Sequence, residues 1–151
     1  MGEYVYKATG IIAKAFEKHR ICYDYKMVSD LEELSVCITL KDGNCFHIKF
    51  ISSDNQNHVV VRVYDMFKGL ATSDTNLAIQ VCNMANDLMR YFKFFLYKET
   101  IVGSYDFPIH INEECIGEVA VGVIKYFIEI LEENYSTLVK ILNKIGGSEN
   151  V

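Results

Sequence analysis

Apolar residues recur every three or four positions at the start of the chain, at Val5, Ala8, Ile12, Ala15 and Phe16, with Lys7, Lys14, Glu17 and Lys18 between them. This spacing predicts an amphipathic helix over about Tyr4 to His19. The period then falls to two. Ile21, Tyr23, Tyr25 and Met27 alternate with Cys22, Asp24 and Lys26, as a half-buried strand requires. Ser29 to Glu33 reads as a polar connection, after which Val36, Ile38 and Leu40 alternate again. Asp42-Gly43 is the strongest hairpin signal in the chain, suited to a type I′ turn because both residues tolerate positive φ. The return strand places Phe46, Ile48 and Phe50 on one face and His47 and Lys49 on the other. Ser52 to Asn57 forms a second turn cluster, and the β-branched run Val59 to Val63 predicts a further strand reaching towards Phe67.

Lys68 to Thr72 reads as a loop, with Ser73 or Asp74 placed to cap the following helix. Leu77, Ala78, Val81, Cys82, Ala85, Leu88 and Met89 supply that helix with an apolar stripe. Two strands follow, Tyr91 to Tyr97 and Ile101 to Phe107, with Pro108 ending the second. Asn112 is placed as an N-cap, and Glu113 and Glu114 complement the positive end of a helix dipole. The last stripe runs from Ile116 to Ile145, and Gly146-Gly147 is expected to stop the helix. Helices and strands segregate in the order α-β(3-4)-α-β-β-α. The expected fold class is therefore α+β, an antiparallel five- or six-stranded sheet with three helices.

Composition changes this picture little. Of 151 residues, 50% are hydrophobic and 23% charged, the balance of a folded chain, read as one domain over 1–151 with an ordered core at about 4–146. The net charge of −5, without a cluster of Lys and Arg, argues against nucleic acid as a partner. Lys125 and Glu129 interrupt the most apolar stretch, Val119 to Leu131, so no membrane span is expected. The start MGEYVYKATG has neither a basic nor a continuous apolar region of the kind that directs export. Five scattered cysteines, Cys22, Cys37, Cys45, Cys82 and Cys115, then read as reduced thiols in a cytoplasmic protein.

Asn83 and Asn86 stand in V-C-N-M-A-N, followed by the aromatic strand Y-F-K-F-F-L-Y, by D-F-P-I and by E-E-N-Y-S-T-L in the last helix. In these features the chain resembles the YbjN family, bacterial sensory transduction regulators with a type III secretion chaperone-like fold of order α-β-β-β-α-β-β-α. The resemblance spans about Tyr4 to Ile145 in element order, with a departure in the additional strand at Ile21 to Val28. It implies a non-enzymatic, often dimeric domain that holds segments of partner proteins, and it carries no catalytic residues over.

Chemistry-bearing residues are few. Asn83 and Asn86, three apart on one helical face, are expected to hydrogen-bond the backbone of the adjoining strand rather than a ligand. Cys45 and His47 share a strand face, and Cys37 across the hairpin could approach them. Structural zinc sites show tighter paired spacing, so no metal or cofactor is expected. Adjacent carboxylates such as Glu132-Glu133 diverge on a helix and form no acid/base pair. The strands after the second turn are more informative, because they are apolar on both faces. Tyr91, Lys93, Phe95 and Tyr97 share the outer one, and Tyr64 belongs to a similar strand. Either helices cover both faces, or Tyr91, Phe95, Tyr97 and Tyr64 form a surface for a protein partner or a second copy of the chain. A small apolar-ligand domain with a pocket between sheet and helices is the alternative.

Overall fold

Residues 4–53, 58–67, 75–98, 100–109 and 115–148 are described by the computed structural model. The elements follow in the order α1 (Lys7–Lys18), β1 (Asp24–Val28), β2 (Leu31–Thr39), β3 (Cys45–Ser52), β4 (His58–Met66), α2 (Thr75–Leu88), β5 (Lys93–Tyr97), β6 (Thr100–Pro108) and α3 (Ile116–Ser148). The strands form one antiparallel sheet in the order β1-β2-β3-β4-β6-β5, so the α+β class with three helices and six strands holds. The stretch read from Ile21 does pair in the sheet, through Asp24–Val28. The proposed caps Ser73, Asp74 and Asn112, the acidic pair Glu113-Glu114 and the loop Lys68 to Thr72 lie outside the described residues.

All three helices pack on the sheet face that carries Val36, Ile38, Phe46, Ile48, Phe50, Val61, Val63 and Phe94, each buried. Phe127 of α3 reaches Phe92 at 4.7 Å between ring centroids and Phe46 at 6.4 Å, and Phe16 of α1 meets Phe50 at 5.3 Å. Burying each such ring contributes about 1.5–3 kcal/mol, so the layer contact is the main source of stability. Gly117 brings α3 against α1. A Cβ there would stand 2.6 Å from the Ala15 Cβ and 3.0 Å from the Ile11 carbonyl oxygen.

Three local expectations need correction. Ser29 to Glu33 is not a polar connection: a two-residue turn at Ser29-Asp30 joins Val28 to Leu31, and β2 begins there. Asp42 does not take positive φ. The Gly43 N–H donates to the Leu40 carbonyl at 2.9 Å, and Gly43 alone is left-handed at φ 93, which makes a three-residue loop rather than a type I′ turn. Last, α3 continues through Gly146 and Gly147 to Ser148, since glycine weakens a helix without forbidding it.

Glu32 explains the first correction. Helix α1 starts after Tyr6 without a side-chain cap of its own. The Glu32 carboxylate, fully buried on β2, instead ties down the residues that lead into α1 and its first turn from across the structure. Its Oε1 accepts from the Tyr6 N–H at 2.7 Å and the Thr9 hydroxyl at 3.0 Å; its Oε2 accepts from the Val5 N–H at 3.0 Å and from the Tyr25 hydroxyl. Burial by itself would raise the carboxyl pKa, but the bonds from Tyr25, Tyr6, Val5 and Thr9 outweigh it and hold it below its ordinary value. The same bond, then burial, pushes the Tyr25 hydroxyl up to about 12.

Candidate functional site

With the helices on one side, the opposite sheet face is left open among the described residues, and its side chains alternate with the core. At the β4–β6–β5 end it is aromatic. Tyr64 (39% exposed), Phe95 (39%) and Tyr97 (50%) stand around Val102 (1%) and Arg62, enclosing a depression of about 170 Å³. Cross-strand register explains two of these positions: Phe95 pairs with Val102, and Tyr97 with Thr100. A bulge explains the third. Val63 pairs with Gly103 and Met66 with Ile101, so Tyr64 and Asp65 together face the single residue Val102. The extra residue keeps both Val63 and Met66 in the core while Tyr64 turns outward.

Cations frame this corner. The Lys49 ammonium lies 5.4 Å from the centre of the Tyr64 ring, and the Lys98 ammonium 5.3 Å from that of Tyr97. Arg62 is held from below, donating to the Val61 carbonyl and the Ser104 hydroxyl, each at 2.8 Å, and pairing with Asp106. Lys49 also pairs with Glu33 at 3.6 Å. Arg62, Lys49 and Val102 were not legible as members of the site. Arg62 and Tyr64 do alternate on one strand, but their meeting with β5 depends on β6 lying between them.

Tyr91 does not belong to this surface. β5 begins at Lys93, and Tyr91 precedes it with a left-handed backbone at φ 69. Its ring meets Tyr126 of α3 edge-on at 5.6 Å, near the place where the Tyr126 hydroxyl donates to the Arg90 carbonyl. The strand alternation that grouped Tyr91 with Phe95 and Tyr97 begins only at Lys93, two residues after it.

The two asparagines also separate. Asn83 is exposed on α2. Asn86 clasps Phe94: its Nδ2 donates to the Phe94 carbonyl at 3.1 Å and its Oδ1 accepts the Phe94 N–H at 2.7 Å. β5 is an edge strand, so Asn86 occupies backbone groups that would otherwise be open to another chain.

A second constellation stands on the open face beside the β2–β3 hairpin. Cys37 pairs with His47 and Thr39 with Cys45, which leaves Cys37 and Cys45 diagonal to each other. Their sulfurs approach to 2.8 Å, and the two sulfurs and a His47 ring nitrogen all lie within 4.8 Å of one another, exposed. The hydrogen bond with Cys45, then burial, holds the Cys37 thiol above its ordinary pKa. Spacing along the chain does not show this meeting, which strand pairing creates.

Among the described residues, no helix is long and apolar enough to cross a membrane. Comparison with protein-family models, with curated proteins and with solved structures yields no match to this chain.

Proposed function

We propose that the chain is a non-enzymatic, protein-binding module of the bacterial cytoplasm, chaperone-like or regulatory in role, and that Tyr64, Phe95 and Tyr97 are its partner-binding centre. The observation that carries this reading is the aromatic corner on the uncovered sheet face. Three large rings, each 39% exposed or more, surround a floor already held in place by Arg62, Ser104 and Asp106. Such a patch is smaller than the roughly 800 Å² per partner of a standard interface, but it has the make-up of an interface hot spot: aromatic rings and an arginine with little conformational freedom left to lose. Lys49 and Lys98 at its rim favour a partner segment that combines an apolar anchor with acidic neighbours. The likeness to the YbjN family points the same way, and the six-stranded sheet is its departure from that pattern. A pocket for an apolar ligand between sheet and helices finds less support, because Phe16, Phe50, Phe92 and Phe127 fill that layer with ring contacts.

The test is substitution of Phe95 by Asp, alone and with Tyr64→Ala, in the full chain. Size-exclusion chromatography with light scattering reads self-association, and partners captured by the unaltered chain are then titrated against each variant. The expected result is loss of dimer or at least about a 30-fold drop in partner affinity, the measure of a hot-spot residue. Retention of both by the double variant would refute the assignment.

A further inference from the structure

The β2–β3 hairpin juxtaposes two thiols and an imidazole, and we propose that Cys37, Cys45 and His47 form a binding site for a thiophilic d10 cation, Zn²⁺ or Cu⁺. Two sulfurs and a ring nitrogen are a donor set suited to these ions and poorly suited to Mg²⁺ or Ca²⁺, which take oxygen ligands. Geometry supports the set. Zn–S bonds of about 2.3 Å at tetrahedral angles place two sulfurs about 3.8 Å apart. The present 2.8 Å separation reaches that value by a small χ1 rotation of exposed side chains, with the third donor already within 4.8 Å. On binding, each thiol gives up its proton to solvent and the neutral imidazole supplies a nitrogen lone pair, so a Zn²⁺ site is neutral and a Cu⁺ site carries one negative charge.

The competing chemistry is a disulfide between the same sulfurs. Register disfavours it. Cys37 sits opposite His47, so Cys45 is its diagonal neighbour. Diagonal Cα atoms in an antiparallel pair are ~7–8 Å apart, whereas disulfides span ~4.4–6.8 Å. The sulfurs, at 2.8 Å, stand between the ~2.05 Å of a disulfide and the about 3.8 Å of two zinc-bound thiolates, so it is the backbone register and not the sulfur separation that disfavours the disulfide. The hairpin also holds the donors in place: the Leu40 N–H donates to the Asn44 carbonyl at 2.8 Å, and Asp42 accepts from the Asn44 N–H at 2.9 Å, closing the loop just beyond Cys45. Asp24 on β1 adds negative potential at Cys37. Three protein ligands on an open face leave one coordination position for water or for a donor from outside.

The reduced, metal-stripped full chain, titrated with Co²⁺, should develop thiolate-to-metal absorption that saturates at one equivalent, and Zn²⁺ should displace it. Competition with chromophoric chelators measures Zn²⁺ and Cu⁺ affinity separately and identifies the preferred ion. Cys37→Ser and Cys45→Ser should each weaken binding by more than about 100-fold, beyond the ~10–100-fold that loss of an outer-shell group costs, and His47→Gln by at least about 10-fold. Cys22→Ser and Cys115→Ser, at other exposed thiols, should leave the titration unchanged. In the unaltered chain, alkylation of Cys37 and Cys45 should slow when metal is present, a reading that needs no variant to fold. Unchanged binding in Cys37→Ser, absence of a one-equivalent endpoint with any of the three ions, or a chain that forms the Cys37–Cys45 disulfide and takes no metal when reduced would each overturn the site.

Discussion

Glutamine at position 32 keeps the shape of Glu32 and removes its charge, which makes it a sharp probe of how α1 is anchored. Each carboxylate oxygen accepts one backbone N–H and one hydroxyl: Oε1 from Tyr6 and Thr9, Oε2 from Val5 and Tyr25. The amide must turn its –NH₂ towards one of these pairs. A hydroxyl can rotate to accept from it, but a backbone N–H cannot, so one charge-assisted bond worth about 1.5–3 kcal/mol is lost. Losing the negative charge at the helix N-terminus removes a further ~0.5–1 kcal/mol. The expected loss is thus about 2–4 kcal/mol, a large share of the ~5–15 kcal/mol that holds a domain folded. With a urea m-value of about 2 kcal/mol/M, the midpoint at pH 7 should fall by ~1–2 M. The pH dependence has a definite sign. The folded-state pKa of Glu32 is depressed, so its contribution is fully present above the unfolded carboxyl value near 4.3 and is lost as pH falls through the folded value. Urea curves for both proteins should keep a constant gap between pH 7 and 5, and the gap should narrow at lower pH. A loss under about 0.5 kcal/mol, or a gap that persists unchanged to pH 3, would refute the anchoring role.

Tyr25 offers the converse titration: its hydroxyl is pushed up to about 12, so the bond to Glu32 persists below the ordinary tyrosine value near 10 and is lost as pH rises through about 12. Ultraviolet titration should show a late tyrosine that moves back towards 10 in Glu32→Gln. Asn86→Ala should cost about 1–3 kcal/mol by leaving the Phe94 backbone unpaired and should speed hydrogen exchange at that amide, whereas Asn83→Ala should change stability by under ~0.5 kcal/mol. Gly117→Ala should lower thermal stability by about 1–3 kcal/mol through overlap with Ala15 and Ile11, while Gly122→Ala, facing open space on the same helix, should raise it by up to ~1 kcal/mol. Equal responses at the two glycines would show that helix propensity, not the α1–α3 contact, governs position 117.

Periodicity determined much of this fold by itself. Three helical stripes, the alternation of Phe46, Ile48 and Phe50 against His47 and Lys49, and the segregated order of elements were readable because each pattern is local and each reports a single buried face. Of the two asparagines read as holding the adjoining strand, Asn86 does so and Asn83 does not, and the strands apolar on both sides left open whether helices or solvent meet their second face. Only the tertiary structure decided what those elements meet. Glu32 reads as part of a polar connection because its partners, the Val5 and Tyr6 N–H groups that lead into α1, lie 27 and 26 residues earlier in the chain. Tyr91 matched the strand pattern until its left-handed backbone sent the ring to α3. Tyr64 joins Phe95 and Tyr97 because β6 lies between their strands and a bulge sets the register. Cys37 meets His47 through pairing across a loop, a distance that spacing along the chain does not measure. Local patterns report how a segment buries itself; sites arise from strand order and register, which depend on contacts between residues far apart.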